Sequence, residues 1–524
     1  MDRFLSIMKI SKFDSSIFLG MVVFISSFCL MVIELVAGRI MAPYLGVHLF
    51  SWTSIIGVVL AGISLGNYLG GRLADRYKNK NVLGTIFLLA ALFSLTIIIF
   101  SNYIGDLLTT AVLPMPIATL VFSLSVFFIP SVLLSYVTPI VIKMSLQDLD
   151  KTGRTVGRIY AFSALGSIVG TFATGYFLIF FLGVKVIIFL VSSILFLLGI
   201  SFVGFNFVKK KISGAQLILF LAVFFASTAV PSMCIVQSNY YCINIENSSP
   251  NNSSFFNLEL DGLVHSFIDL ENSSNLSYNY VKTMAALAEF KSQGTAGNMS
   301  MLFLGGGGYT LPRYLEDRYA GIDIGVIEID PAVIELNYRR LNLSRDTSIK
   351  THNTDVRIFF NQKRIEKKYD FILGDVFNGF AVPYHLTTKE FNQQLKNSLK
   401  QDGFYAVNII DDPVTGDFLT SYIHTLSQTF NHVYVAPWTP DWLDVPKRRT
   451  IVVIASDTPL DIPRWENAVI TLANDVYPSA VSDRIVFLVS GDALKNLLDT
   501  KKNIVLTDDY APVDYLLGPL IYDM

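Results

Sequence analysis

Two patterns of apolar and polar positions divide the chain near residue 230. Before it, long apolar runs alternate with short polar loops, at residues 17–36, 52–73, 82–100, 117–136, 159–181, 184–203 and 215–230. A bilayer core about 30 Å thick is spanned by roughly 20 mostly apolar helical residues. In lipid, helices satisfy every backbone polar group internally. The pattern predicts a multi-pass α-helical membrane domain of about seven spans over residues 1–231, with glycines diluting the second and fifth runs. The first run is too long, and followed by too many others, to be a cleavable signal peptide.

From Met301 the runs shorten and alternate strand-like with helix-like. A buried strand at 301–304 meets Gly305, Gly306, Gly307 and Gly308, and a helix is predicted to start around Pro312. The next strand, 324–329, carries Glu328 near its end and runs into Asp330, with Pro331 opening another helix. Further strands are predicted to end at Asp355 and to lead into Asp375. This predicts a Rossmann-like α/β domain over residues 297–524, preceded by a small β-rich subdomain over 232–296. Two Asn/Ser-rich stretches of that subdomain, 244–254 and 271–277, read as hairpin loops.

Composition sharpens the division. Of 524 residues 52% are apolar and 16% charged, with a mean hydropathy of +0.49. That excludes a disordered chain, a disulfide-dense mini-protein and an ordinary cytosolic enzyme. Residues 1–230 hold 16 Lys/Arg and 7 Asp/Glu, the remainder 24 and 35. The overall charge of −2 gives no nucleic-acid footprint. The basic residues of the first half fall on alternate loops, at Lys9 and Lys12, at 72–80, at 143–158 and at 209–211. By the positive-inside rule these face the cytoplasm. Seven spans then place the chain in the cell (inner) membrane, with its C-terminal domain exocytoplasmic.

Small residues cluster at 57–71 and 157–175, which reads either as close helix packing, the favoured alternative, or as a transport path. Glu34 is the acid inside a span, five residues before Arg39; it is a functional candidate or the partner of that arginine. Cys234 and Cys242 are either a disulfide, which suits a compartment outside the cytoplasm, or two unrelated thiols. The six histidines show no ligand spacing, so no metal site is expected. His385 either touches substrate or caps a helix starting near Thr387.

The chemistry of the second half is more specific. Glycines let a ligand approach the backbone, and an acid about 20 residues later, at the next strand end, can accept both ribose hydroxyls. The stretches MLFLGGGGYTLPRYLE and VIEIDPAVIEL resemble spermidine synthases, and more closely the bacterial membrane proteins in which such a domain follows a transporter-like half. The resemblance extends to LELDGLVHS, to YDFILGDVFNGFAVPYHLTTKEF, to LTDDYAPVDYL, to GGRLADR and to the Glu34–Arg39 region. It implies a transferase that moves an aminopropyl-type group from S-adenosylmethionine or its decarboxylated form to an amine, releasing methylthioadenosine. It also implies roles: Gly305, Gly306 and Gly307 beneath the methionine-derived part of the donor, Glu328 on the ribose with Asp330 beside it, Asp355 at the adenine end, and Asp375 as the base that deprotonates the amine. Tyr280, Asn378 and His385 are weaker candidates for substrate contacts.

The departures matter as much. The family's glycine turn carries an aspartate where this chain has Gly308, its second loop acid is Asn378, and its Tyr-His-Glu run reads Tyr280-Val281-Lys282. The nucleoside half of the site is retained and the polyamine half is not. The acceptor is then a small-molecule or envelope-linked amine, and the donor's decarboxylation and a homodimeric state stay open. Two alternatives stand beside this reading: a different reaction of the same donor, including its breakdown, and a transporter or sensor whose nucleoside-binding domain is not catalytic.

Overall fold

The computed structural model describes residues 15–77, 80–111, 113–146, 149–203, 214–248, 254–292, 299–362, 368–377, 379, 381–439, 441–476, 488–501 and 503–517. Lys9, Lys12, Lys78, the lysines at 209–211 and part of the 244–254 loop lie outside them. The chain forms two compact units, Met1–Met233 and Cys234–Met524.

In the first unit six helices among the described residues are long and apolar enough to cross a membrane: α1 (Ile17–Leu45), α2 (Leu49–Arg76), α3 (Lys80–Thr110), α4 (Met115–Ser145), α5 (Thr152–Phe181) and α6 (Val184–Val203). The seventh predicted run forms a further apolar helix, α7, described over Gly214–Ala229 and following directly on residues outside the described set. Glu34 lies within α1.

Five glycines of the two clusters serve close packing. On α2, Gly62, Gly66 and Gly70 recur every four residues on one face and meet α4: a Cβ at Gly62 would stand 2.7 Å from that of Ser131, and one at Gly70 would stand 2.9 Å from the Tyr136 Cα. Gly166 and Gly170 of α5 abut the Phe24 and Phe28 backbone of α1 in the same way. Several polar residues between these helices are paired within the bundle: Ser54 with Thr119 at 3.0 Å, Ser27 with Ser163 at 2.9 Å, and the Ser26 hydroxyl donating to the Leu134 carbonyl at 3.0 Å. Because backbone blocks the space at Gly66, where a Cβ would meet the Val132 carbonyl oxygen at 2.5 Å, Gly66→Leu is expected to destabilise the bundle by about 1–3 kcal/mol or more. Thermal unfolding in detergent checks this, with Gly71→Leu, where nothing lies within 4 Å, as the unchanged control.

The second unit opens with a small antiparallel sheet of β1 (Val236–Gln237), β2 (Cys242–Asn247), β3 (Phe255–Leu260) and β4 (Leu263–Asp269), paired in chain order. Residues 244–247 are therefore strand, not loop. Cys234 and Cys242 are disulfide-bonded, with Cα atoms 5.2 Å apart. Helix α8 (Asn279–Ser292) follows; its Met284, Ala285 and Leu287 pack in the core of the larger sheet, so the small sheet proper ends at Asp269.

The larger sheet has seven strands in the order β10-β11-β9-β8-β5-β6-β7: β5 (Ser300–Leu304), β6 (Asp323–Glu328), β7 (Lys350–Asn353), β8 (Tyr369–Gly374), β9 (Leu399–Asp411), β10 (His432–Ala436) and β11 (Arg449–Ser456). Strands β7, β6, β5, β8 and β9 run parallel, β11 pairs antiparallel with β9, and the edge strand β10 pairs antiparallel with β11. Strands β5 and β8 are buried throughout and mostly apolar, as a doubly covered parallel sheet requires. The chain lays down β5, β6 and β7 outward and then returns to the other side of β5 for β8. That reversal opens a crevice at the carboxyl ends of β5 and β8, where open α/β sheets bind ligands. The antiparallel β11 brings its first residue, Arg449, opposite Asp411 at the end of β9, and so to the same edge of the sheet.

Candidate active site

The crevice is built around the glycine turn after β5. Gly305 has φ +93° and Gly307 has φ +48°, left-handed conformations that favour glycine. At Gly305 there is no room for a Cβ, since the Asp375 carbonyl oxygen fills that place. The Asp375 N–H donates to the Leu304 carbonyl at 2.8 Å, so the β8 strand end and the turn are held together by backbone. Tyr309, with φ +53°, continues the turn in the left-handed region before helix α9 (Thr310–Arg318), its hydroxyl 3.0 Å from that of Thr351.

Glu328, at the end of β6, is buried and its carboxylate organises this turn. One oxygen accepts from the Gly306 N–H at 2.9 Å and the Gly307 N–H at 3.4 Å, the other from the Asp330 N–H at 2.9 Å. Burial raises its pKa, and the three backbone donors oppose that shift. Asp330 stands beside Glu328, as its backbone N–H bond shows, and its side chain turns to a structural task. It is fully buried and caps helix α10 (Pro331–Arg340), accepting from the Ala332 N–H at 2.9 Å, while its other oxygen accepts from the Ser238 hydroxyl. Both oxygens are thus engaged within the protein.

Asp355 lies two residues past the end of β7 rather than at it, and accepts from the Ile358 N–H at 3.0 Å at the start of helix α11 (Val356–Gln362). Its second oxygen is 3.3 Å from Nε2 of His385. Of the two alternatives for His385, capping is ruled out: Thr388 caps helix α12 (Lys389–Ser398), and His385 sits in the preceding turn, Tyr384–Leu386. His385 stands with Asp355, not among the residues that line the hollows at Asp375.

Asp375 follows β8 at the base of a cleft of about 560 Å³. Its carboxylate accepts from the Tyr280 hydroxyl at 2.8 Å and from Nδ2 of Asn408 at 3.1 Å. Desolvation pushes its pKa up to about 6, with the two hydrogen bonds opposing the shift. A carboxyl group with that pKa is mostly ionised at neutral pH and is suited to general-base work. Tyr280 is buried in the first turn of α8, so the structure makes it a partner of Asp375. Asn378 lies outside the described residues. Among the described residues no group of three His, Cys, Asp or Glu side chains is arranged to hold a metal ion.

The structure thus gathers Gly305, Gly306, Gly307, Glu328, Tyr280 and Asp375, sets Asp355 and His385 together as a separate pair, and gives Asp330 a capping role. Sequence reasoning missed Asn408, Trp438 and Arg449, all of which line the cleft. Only Asn408 carried a signal, as a lone amide in the apolar run FYAVNII.

Residues 280–445 match the spermine/spermidine synthase domain. The chain carries a spermidine synthase-type domain. A polyamine aminopropyltransferase of Vibrio vulnificus is 33% identical over 109 residues, 21% of this chain; the match spans only 36% of that relative's length. Polyamine aminopropyltransferase 2 of Aquifex aeolicus is 24% identical over 490 residues, covering 86% of this chain and 89% of that protein. That alignment takes in the apolar helices as well as the synthase-type domain, as a membrane-fused arrangement requires. A probable spermidine synthase from Corynebacterium glutamicum superposes with a TM-score of 0.43 at 22% identity, covering 52% of this chain and 95% of its own.

Proposed function

We propose that the protein is a membrane-anchored transferase that moves an aminopropyl-type group from an adenosyl-sulfonium co-substrate, S-adenosylmethionine or its decarboxylated form, to an amine. The acceptor nitrogen attacks the methylene carbon beside the sulfonium. A C–N bond forms, the C–S bond breaks with its electron pair passing to sulfur, and methylthioadenosine leaves as a neutral thioether. An ammonium must first lose one proton, and Asp375 takes it. The leaving group is good by nature, so the protein's work is to position the partners and to supply the base.

The observation that carries this reading is the setting of Asp375. It is tied by backbone to the glycine turn, held by Tyr280 and Asn408, and open to a cleft large enough for a second reactant. A domain that only senses a nucleoside has no use for a base there. Gly305, Gly306, Gly307 and Glu328 are assigned to the donor, with Asp355 and His385 at its adenine end and Asp330 as their support. Chromatography of the adenosyl product tests the reaction: methylthioadenosine is expected, whereas S-adenosylhomocysteine would mean methyl transfer and no product would mean a binding domain.

We further propose that the second unit faces the outside of the cytoplasm, the apolar helices lying in the inner membrane. The alternating basic loops support this, and so does the Cys234–Cys242 bond, which a reducing compartment would not keep. A reporter active only outside the cytoplasm, fused after Met524, is expected to be active, and a cysteine introduced at Asn247 to be labelled on intact cells. Labelling only after the membrane is broken would reverse the topology.

A further inference from the structure

The cleft at Asp375 has the wrong charge for a polyamine. A site for a di-cation needs carboxylates, yet among its described lining residues Asp375 is the one acid, against Lys447, Arg448 and Arg449. Asp441 lies close to Arg449 and Lys447 and offsets part of their charge, leaving the balance positive. A further ammonium, that of Lys282, stands 5.5 Å from the centre of the Trp438 ring, in the run where spermidine synthases have a glutamate. At Gly308, where the family has an aspartate, a Cβ would lie 2.8 Å from the side chains of Ile268 and Ser266, so that acid has no space here.

Three residues that line the same cleft each carry a polar atom shut off from solvent and without a hydrogen-bond partner among the described residues: Asn408 Oδ1, Trp438 Nε1 and Arg449 Nε. Buried polar atoms are rarely left so in a native protein, and a turn of each side chain would present its group to a ligand in the cleft. Their chemistry is ordered. Asn408 turns its Nδ2 to Asp375, so its free oxygen is an acceptor beside the base, suited to the N–H of an attacking amine. Trp438 and Arg449 offer donors, and Arg449 is held in place by Thr439 and the Asp441 carbonyl, each at 3.3 Å. Donors backed by positive charge suit an anion.

We propose that the cleft beyond Asp375 binds an anionic group, a carboxylate or phosphate-type group, carried by a reactant, with the Arg449 guanidinium and the Trp438 indole N–H as its donors. This rests on the transferase reading above. The acceptor is then an amine with an anionic tail, its nitrogen between Asp375 and Asn408. The same carboxylate chemistry also resides in a donor that has kept its methionine carboxyl group.

Calorimetric titration of the full-length protein in detergent tests this, with and without saturating methylthioadenosine, using diaminobutane, aminobutanoate and aminobutylphosphonate as probes. The two anionic amines are expected to bind at least about tenfold more tightly than the diamine, a difference of about 1.4 kcal/mol. Arg449→Gln is expected to erase that preference and Arg449→Glu to reverse it, while methylthioadenosine affinity, the folding control, stays unchanged. If Arg449→Gln instead weakens S-adenosylmethionine selectively over its decarboxylated form, with the amines unaffected, the anion is the donor's own. Diamine binding at least as tight as that of both anionic amines, with neither donor discriminated by the variants, would overturn the proposal. A protein that binds the anionic amines but not methylthioadenosine would sink the transferase reading and leave the anion site standing.

Discussion

Asp375→Asn is expected to lower turnover by about 10²–10⁴, the range for loss of a general base, while nucleoside binding stays nearly intact. The substitution keeps the volume and the acceptor toward Tyr280 or Asn408, so the fold of the turn should survive. It removes the one carboxylate among the described residues that line the cleft. The pH profile separates this from a positional effect. The active form of Asp375 is the carboxylate, and its pKa is about 6. Wild-type turnover should therefore fall as pH drops through about 6, and the asparagine variant should lose that acid limb. A variant with full turnover, or one that keeps the limb, would mean that the amine arrives neutral or that another group is the base.

Glu328→Gln is expected to weaken methylthioadenosine binding by about 10²–10⁴. Three backbone N–H groups point at this carboxylate from both sides. A glutamine must set its NH₂ against one of those donors, which cannot accept. Two hydrogen bonds to a charged acceptor, at about 1.5–3 kcal/mol each, account for a loss of that size. The carboxylate acts twice in this account, once by shaping the glycine turn and once through its remaining lone pairs on the ribose. Calorimetry on the full-length protein reads the affinity, and circular dichroism checks that the sheet is intact. An unchanged affinity would remove the pocket assignment.

The parts of this site that could be read from the sequence are those made by neighbours in the chain. The glycine turn, Glu328 and Asp375 each follow a short buried strand, and a strand followed by glycine or an acid is a local signal. The spans were legible for the same reason, since length and apolarity are properties of one segment. The acceptor side was not legible. Tyr280 reaches Asp375 across 95 residues and Asn408 across 33, and Arg449 arrives only through the antiparallel register of β11 on β9. Nor could local pattern tell that Asp330 and Thr388 are caps while His385 is not, since that depends on which hydroxyl or carboxylate meets the free N–H groups.

The same division explains why the family likeness and the charge of the cleft point in different directions. The donor side is built from local signals and carries the likeness. The acceptor side is built from distant contacts, and there the acids of spermidine synthases have become Gly308, Asn378 and Lys282.

Mass spectrometry of the complete reaction tests the central claim most directly, by counting alkylated amine against methylthioadenosine for the wild type and for Asp375→Asn. The account predicts one new C–N bond for each methylthioadenosine released, with both products falling together in the variant. Methylthioadenosine released without an alkylated amine, or at the same rate from Asp375→Asn, would show donor breakdown instead and contradict it.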